Sequence, residues 1–578
     1  MIILGKSERG GPAADQRESV RRALQRAGGE KAGIDRHAAL VDAFIRASEL
    51  VQGCADAGFD ARGFDRHSAH EREGAFLLFL LGRLIGRSWR SGFRSALDVT
   101  PVTRQLDGLD LPFWIRIRKV EGYAHYALYP ESYLRTAECS GLGRRSCVIG
   151  IRSAGLGLAA LVAAALGAEP ARSLRPVGHP FDRRLRISAD FAREEVADRR
   201  FQFAIVDEGP GLSGSSFACV ARWLMSHGVA ARRIHLFPSH GGSPGHSATA
   251  ATRGVWREVH VHPPRTDPVL DGRVGAWIGD RLGGSKPRLE EISAGAWREA
   301  SSARSSLPVD TRFERRKFLV RAATGNWFVK FAGLGRSGRR KFQQSRLLAS
   351  AGFVPEPVTF CHGLMAEKWI SHHPTPVVGR GVLVARLCAY LAFRARHLGP
   401  SDGGASLERL CEMAQQNTRE VLGAERGERL EPLIGGAHRL QHLIAPICVD
   451  GRLHAWEWLR EGPNLIKTDA VDHCRGHDLV GGQDVLWDVA GALVEYDLTG
   501  SELSMLRKAL GRQSDRDEAL LAILIPCYLA FQLGLWSTAV ACPGAEQAND
   551  QTTSRYARKL SRYLENARHR PGHHALFR

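Results

Sequence analysis

The sequence predicts a two-domain α/β protein: a parallel-sheet unit over residues 36–285, then an α+β bilobal unit over 311–570 in which a small sheet precedes helices. Three observations lead there. The chain has 578 residues, which at about 100 to 200 residues per domain gives two to four domains. Between residues 148 and 237 apolar strands alternate with Gly-rich turns and helices, the pattern of a parallel sheet with right-handed crossovers. Beyond a polar break the pattern becomes paired strands followed by a long helical stretch, and no internal repeat relates the halves.

Composition agrees with this class. Apolar residues are 44% and charged residues 24%, which excludes a disordered chain or a coiled coil. Lys plus Arg total 80 against 61 for Asp plus Glu, a formal charge of +19. That balance suits phosphorylated or polyanionic partners, and dispersed Arg on an ordinary surface would give it too. The 11 cysteines are scattered without a Cys-x-x-Cys pair, and Met1–Leu4 is too short for a secretory apolar segment, so free thiols and a cytoplasmic location are expected. Residues 519–542 are almost uncharged and long enough to span a bilayer. Pro526, Gln532, Ser537 and Thr538, with no basic flank, favour a buried pair of core helices over a membrane span.

The elements follow in order. Residues 1–35 lack a sustained apolar period and are expected to form a mobile tail. Residues 38–55 and 73–89 show helical spacing; 113–119 and 123–129 alternate around Val120-Glu121-Gly122 as a hairpin would. Strands at 148–151, 203–206 and 234–237 enclose helices ending at Leu166 and spanning 217–227. Residues 286–310, a polar segment bracketed by Leu282-Gly-Gly-Ser-Lys-Pro and the Ser-rich Ala300 to Pro308, are expected to be a linker. Strands at 317–322 and 327–331, a basic helix at 338–350 and a strand at 360–370 come next. From Val382 the chain is mainly helical, interrupted by a hairpin of 453–459 with 465–469.

The first chemical constellation is an apolar strand ending in Asp207 and Glu208, followed by Gly209-Pro-Gly-Leu-Ser-Gly-Ser-Ser216 and a helix. Paired carboxylates at a strand end can accept from a vicinal diol, while a Gly/Ser turn offers N–H and hydroxyl groups to a phosphate at a helix N-terminus. The segment resembles the signature of type I phosphoribosyltransferases, with Ser213-Gly214-Ser215-Ser216 in place of the Thr-containing end. Upstream, Val148 to Ala159 is similar to that family's pyrophosphate loop. The resemblance implies a phosphoribosyl pyrophosphate (PRPP) site: Asp207 and Glu208 on the ribose, Ser213, Gly214, Ser215 and Ser216 on the 5-phosphate, Arg152, Ser153, Ala154 and Gly155 on pyrophosphate. Arg175, His179 and Arg183 would lie on a cover supplying positive charge. The plain alternative is a tight strand-to-helix connection. An aromatic segment at 121–131 offers rings that could stack a base or simply pack.

The second constellation begins with Lys330 on the apolar strand 327–331, where a buried ammonium calls for an anion such as a nucleotide phosphate. Downstream lie Asp469-x-x-Asp472 and Asp484-x-x-x-Asp488. These spacings resemble the aminoglycoside phosphotransferase and choline kinase group, of protein kinase-like fold, over residues 313–540. The resemblance implies ATP on Lys330, Asp450 as catalytic base, a Mg2+ ion on Glu457 and Asp469, and the later acid pair supporting the catalytic loop. Glu457 stands where that group has Asn, and the helix after Lys330 carries Gln343 and Gln344 rather than a clear Glu partner. His473, Cys474 and His477, and the pair His260 and His262, lack the further ligands of a zinc site.

Together these features predict a bifunctional phosphoribosyl and phosphoryl transferase-like protein acting on a ribose phosphate or nucleoside-like small molecule. The alternative is a nucleotide-sensing regulator with inactive transferase folds and a basic surface that contacts nucleic acid.

Overall fold

The computed structural model describes residues 8–66, 68–196, 201–211, 213–245, 248–265, 267–269, 273–283, 288–301, 307–370, 378–399, 404–474 and 479–569. The amino-terminal half opens with three helices, Ala13–Gly29, Ile34–Arg62 and Ala69–Arg90, and holds a five-stranded parallel sheet. Across that sheet the strands run Arg172–Leu174, Ser146–Ile151, Gln202–Val206, Ile234–Phe237, His260–Val261. Its strands are near-continuous apolar runs because both faces are covered. Ile149, Phe203, Ile205 and Leu236 pack with Phe217 and Val220 of the helix Ser215–Ser226 on one side.

In the second half, five antiparallel strands lie in the order Arg288–Glu291, Lys317–Ala322, Gly325–Phe331, Leu364–Lys368, Pro357–Cys361. The helix Gly335–Ser350 connects the middle strand to the far edge. A helical lobe follows, built around the long helix Asp515–Ser537 and interrupted by the hairpin of Trp458–Glu461 with Asn464–Lys467.

Several expectations are corrected. The tail is the helix Ala13–Gly29, whose Gln16, Val20, Ala23, Leu24 and Ala27 form a buried stripe at helical spacing, preceded by a strand, Glu8–Pro12. That strand pairs with Trp114–Arg118, so the partner expected at 123–129 is displaced and Glu121–His125 is a helical turn. Gly122 fits the turn closely: a Cβ there would lie 2.8 Å from Leu128 Cβ. The expected linker contains the edge strand Arg288–Glu291 and the helical turn Trp297–Ala300; residues 286–287 and 302–306 of it lie outside the described residues. The single strand at 360–370 is a hairpin whose two-residue loop, His362-Gly363, has positive φ at both positions (40° and 91°), the primed turn that suits strand twist. Residues 519–537 of the apolar segment lie in one helix, Asp515–Ser537, started by a Ser514/Asp517 capping box, and 538–542 follow it as irregular chain. Among the described residues this is the one helix long and apolar enough to cross a membrane, and it is packed inside the lobe.

The two halves are not joined by a simple tether. One apolar core contains Phe44, Leu81 and Leu158 of the first half and Phe318, Val320, Val329, Phe331 and Leu364 of the antiparallel sheet. Leu334 N–H donates to Tyr123 O (2.7 Å), and Arg336 N–H to Asp42 Oδ1 (2.8 Å). At the centre of the contact, Glu131 Oε1 lies 2.8 Å from His37 Nε2 and 2.9 Å from His362 Nε2. All three side chains are buried, and His37 Nδ1 is bonded in turn to Ser88 Oγ at 2.9 Å.

Candidate functional site

In the amino-terminal half, the strand ends do form a crevice, of about 590 Å3, in the position where parallel sheets take ligands. Glu208, Ser239, His240 and Arg265 line it, together with Arg316 from the second half. The structure separates the two acids. Glu208 faces the crevice, whereas the Asp207 carboxylate accepts N–H bonds from Gly155 and Glu208. Gly155 comes so close that a Cβ on it would meet Val206 O at 2.2 Å, so the start of the helix Ala154–Leu166 is clamped to the strand end. Burial raises the Asp207 carboxyl to about 7.

The fold therefore favours the neutral acid. Stability from Asp207 is present below the unfolded pKa near 4 and is lost as pH rises toward 7. Asp207→Asn is expected to remove that loss, so urea midpoints of the variant should gain on the parent as pH rises through this window.

The other residues implied for phosphates are engaged by the protein itself. Arg152 is buried, paired with Asp65 and, at 3.1 Å, with Asp56; Arg175 pairs with Asp56 and donates its backbone N–H to Asp65. The peptide between Arg152 and Ser153 is cis. The expected cover is the hairpin of Val177–His179 with Asp182–Arg184. Its Pro180 carbonyl accepts from Ser213 Oγ (2.9 Å) and Ser215 Oγ (2.6 Å), and Arg183 donates to Gly178 O. Gly214 is left-handed and leads into the helix at Ser215, with Ser216 half-buried beside it.

A second cavity, of about 160 Å3, lies between the antiparallel sheet and the helical lobe. Trp297, Phe313, Phe328, Trp369, Trp456 and Trp536 give it aromatic walls. Arg315, Lys317, Arg452, Glu457, Asp469 and Asp472 give it charge. Arg315 and Lys317 face this cavity, while Arg316 between them faces the crevice of the first half and bonds Glu291 at 2.9 Å.

Lys330 lies on the middle strand of the sheet, shortly before the helix Gly335–Ser350. Its Nζ donates to Asp469 Oδ1 (3.2 Å) and Asp472 Oδ2 (2.8 Å). Asp469 follows the hairpin strand Asn464–Lys467 and has φ 54°, a left-handed conformation uncommon outside glycine. Lys341, on the buried face of the helix with Gly338, Ser345 and Leu348, donates to Asp472 Oδ1 at 3.0 Å. Asp472 thus bridges two ammonium groups. They hold its carboxyl well below the usual range against the opposing effect of burial, while burial lowers Lys341 to about 8 and raises Glu367 to about 7.

Asp450 is fully buried rather than cavity-facing. It accepts from Tyr390 Oη at 2.5 Å and lies 3.4 Å from Lys467 Nζ and 3.8 Å from Arg394 Nη1. Glu457 accepts from Lys467 Nζ at 2.5 Å, so an ammonium sits between the two acids. Asp488 accepts the backbone N–H groups of Asp450 (2.8 Å) and Gly451 (2.9 Å), and fixes the loop that brings Arg452 to the cavity. Asp484 bonds the N–H groups of Ala445 and Leu486, and also Arg512.

Of the residues expected at the kinase-like site, Glu457 and Asp469 line the cavity, whereas Lys330 is buried behind Asp469 and Asp472, outside its lining; Lys317, Lys341 and Lys467 were missed. The spacing of 338, 341, 345 and 348 held the signal for Lys341, a lysine on the inward face of a helix.

No protein-family model and no curated protein matches the chain. Among solved structures, choline kinase LicA from Streptococcus pneumoniae is 13% identical, with 42% of this chain and 89% of that chain covered and a TM-score of 0.28. A choline/ethanolamine kinase family protein from Mesorhizobium loti is 16% identical, with 44% and 90% covered and a TM-score of 0.31. Spectinomycin phosphotransferase APH(9)-Ia, in complex with ADP and spectinomycin, is 11% identical, with 47% and 88% covered and a TM-score of 0.31.

Proposed function

We propose that this chain is a phosphotransferase-like protein of small-molecule metabolism whose interlobe cavity binds a nucleotide such as ATP. The observation that carries the reading is an aromatic-walled cavity lined by Arg315, Lys317 and Arg452 and by Asp469 and Asp472, the two acids that Lys330 bonds from the middle strand behind them. The ammonium of Lys317 and the guanidinium groups of Arg315 and Arg452 on the cavity wall can supply charge-assisted contacts to phosphate, and the aromatic walls supply stacking surface to a base. Asp450, sealed beneath Tyr390 and Lys467, is read as a positioning residue of the loop, not as the base. The arrangement therefore favours nucleotide binding, the sensing alternative, over efficient phosphoryl transfer.

The experiment is calorimetric titration of ATP and ADP into the parent and Lys330→Met. Loss of one desolvated charge-assisted contact is expected to weaken affinity at least about tenfold. Unchanged affinity in the variant refutes the assignment.

A second reading, phosphorylated ribose in the crevice of the first half, is supported by Glu208 at the strand end and by Arg265 and Arg316 beside it. It predicts that PRPP or ribose 5-phosphate raises the melting temperature of the parent and not of Glu208→Gln.

A further inference from the structure

The kinase-like arrangement implies a magnesium ion on Glu457 and Asp469, and the side chains present do not fit one. Glu457, Asp450 and His473 converge, their ligand atoms within 4.8 Å of one another. The two acids there already share the fully buried ammonium of Lys467, 2.5 Å from Glu457 and 3.4 Å from Asp450. Asp469 lies 3.2 Å from Lys330 Nζ and 3.9 Å from Lys317 Nζ. Asp472 lies 2.8 Å from Lys330 and 3.0 Å from Lys341. Lys317 is closer still to Glu314, at 3.3 Å, so five carboxylates, Glu314, Asp450, Glu457, Asp469 and Asp472, are met by four ammonium groups, Lys317, Lys330, Lys341 and Lys467. A divalent ion gains from acids that carry uncompensated charge; here it would meet like charges in a poorly solvated site. The guanidinium groups of Arg315 and Arg452 add two further positive charges to the cavity wall.

From this disagreement, and resting on the nucleotide reading above, we infer that the cavity takes the phosphates of its nucleotide directly on its own cationic side chains, without a divalent metal ion. Lys467 stands in for the metal as the fixed cation between Asp450 and Glu457. Lys317 on the cavity wall meets the phosphate oxygens, and Lys330 behind it reaches them by exchanging its contact with Asp469, which lines the cavity.

The test is titration of ATP into the full-length parent in a magnesium buffer and in the same buffer with excess EDTA. Dissociation constants equal within about threefold are expected. A weakening of tenfold or more on chelation overturns this inference and leaves the nucleotide reading standing. No binding in either buffer overturns both. A second arm needs no nucleotide: Mn2+ is titrated and followed by its electron paramagnetic resonance signal. The parent is expected to leave Mn2+ free, whereas Lys467→Met, which uncovers Asp450 and Glu457, is expected to bind it. The double variant Lys467→Met/Glu457→Gln, with less buried charge, should lose that binding again. Binding of Mn2+ by the parent, or its absence in a folded Lys467→Met, overturns the inference.

Discussion

Glu131→Ala is expected to destabilise the protein by about 4 kcal/mol, because removing one member of a buried, hydrogen-bonded ionic group strands the others. The two orphaned groups would be His37 Nε2 and His362 Nε2, one from each half of the chain. Glu131→Gln keeps an oxygen for both imidazoles and should cost less. The two histidines hold the Glu131 carboxyl below the ordinary range against the opposing effect of burial, and burial lowers His37. A depressed acid contributes stability above its unfolded pKa, near 4.3, and loses it as pH falls. The gap between parent and Glu131→Gln should therefore close in urea melts as pH drops below about 4. Because Glu131 sits inside a core common to both halves, the parent should unfold in one transition by tryptophan fluorescence and circular dichroism alike. Two separated transitions would contradict the shared core.

Asp488→Ala is the second large effect. It strips two buried N–H groups, those of Asp450 and Gly451, of their acceptor. At about 1 to 3 kcal/mol for each unsatisfied buried group, a loss of about 4 kcal/mol is expected. Hydrogen exchange locates it: the amides of Asp450 and Gly451 should lose protection in the variant while those of the antiparallel sheet keep theirs. ATP affinity should also fall, since this loop delivers Arg452 to the cavity. Retained protection at 450 and 451 would remove Asp488 from its role as the loop's brace.

Local patterns made much of this legible. The apolar runs at 148–151, 203–206 and 234–237 are strands of the parallel sheet, and residues 317–322 form a strand with those bounds. The family resemblance implied that Asp484 and Asp488 support the loop at Asp450; Asp488 bonds that backbone, whereas Asp484 caps Leu486 at the helix start and pairs with Arg512, the plainer reading of an acid there. What stayed hidden depends on partners far apart in sequence. Glu131 reaches His37 and His362 across 94 and 231 positions, and no local period links them. Arg152 and Arg175 offered themselves as phosphate ligands; Asp56 and Asp65, on and just after the helix Ile34–Arg62, bind them first. Asp450 has the residue type of a base, and its environment, Tyr390, Lys467 and Arg394, is assembled from the lobe around it. The amino-terminal helix was obscured because arginines interrupt its small apolar stripe of Val20, Ala23, Leu24 and Ala27.

Residues 315–317 alternate in direction, so a single stretch of backbone is the partition between two chambers. Displacing Arg316 drags both neighbours along with it, through peptide bonds that scarcely stretch or bend. Engineering either chamber for a bulkier guest would consequently deform the opposite one, and the pair must be redesigned as a unit.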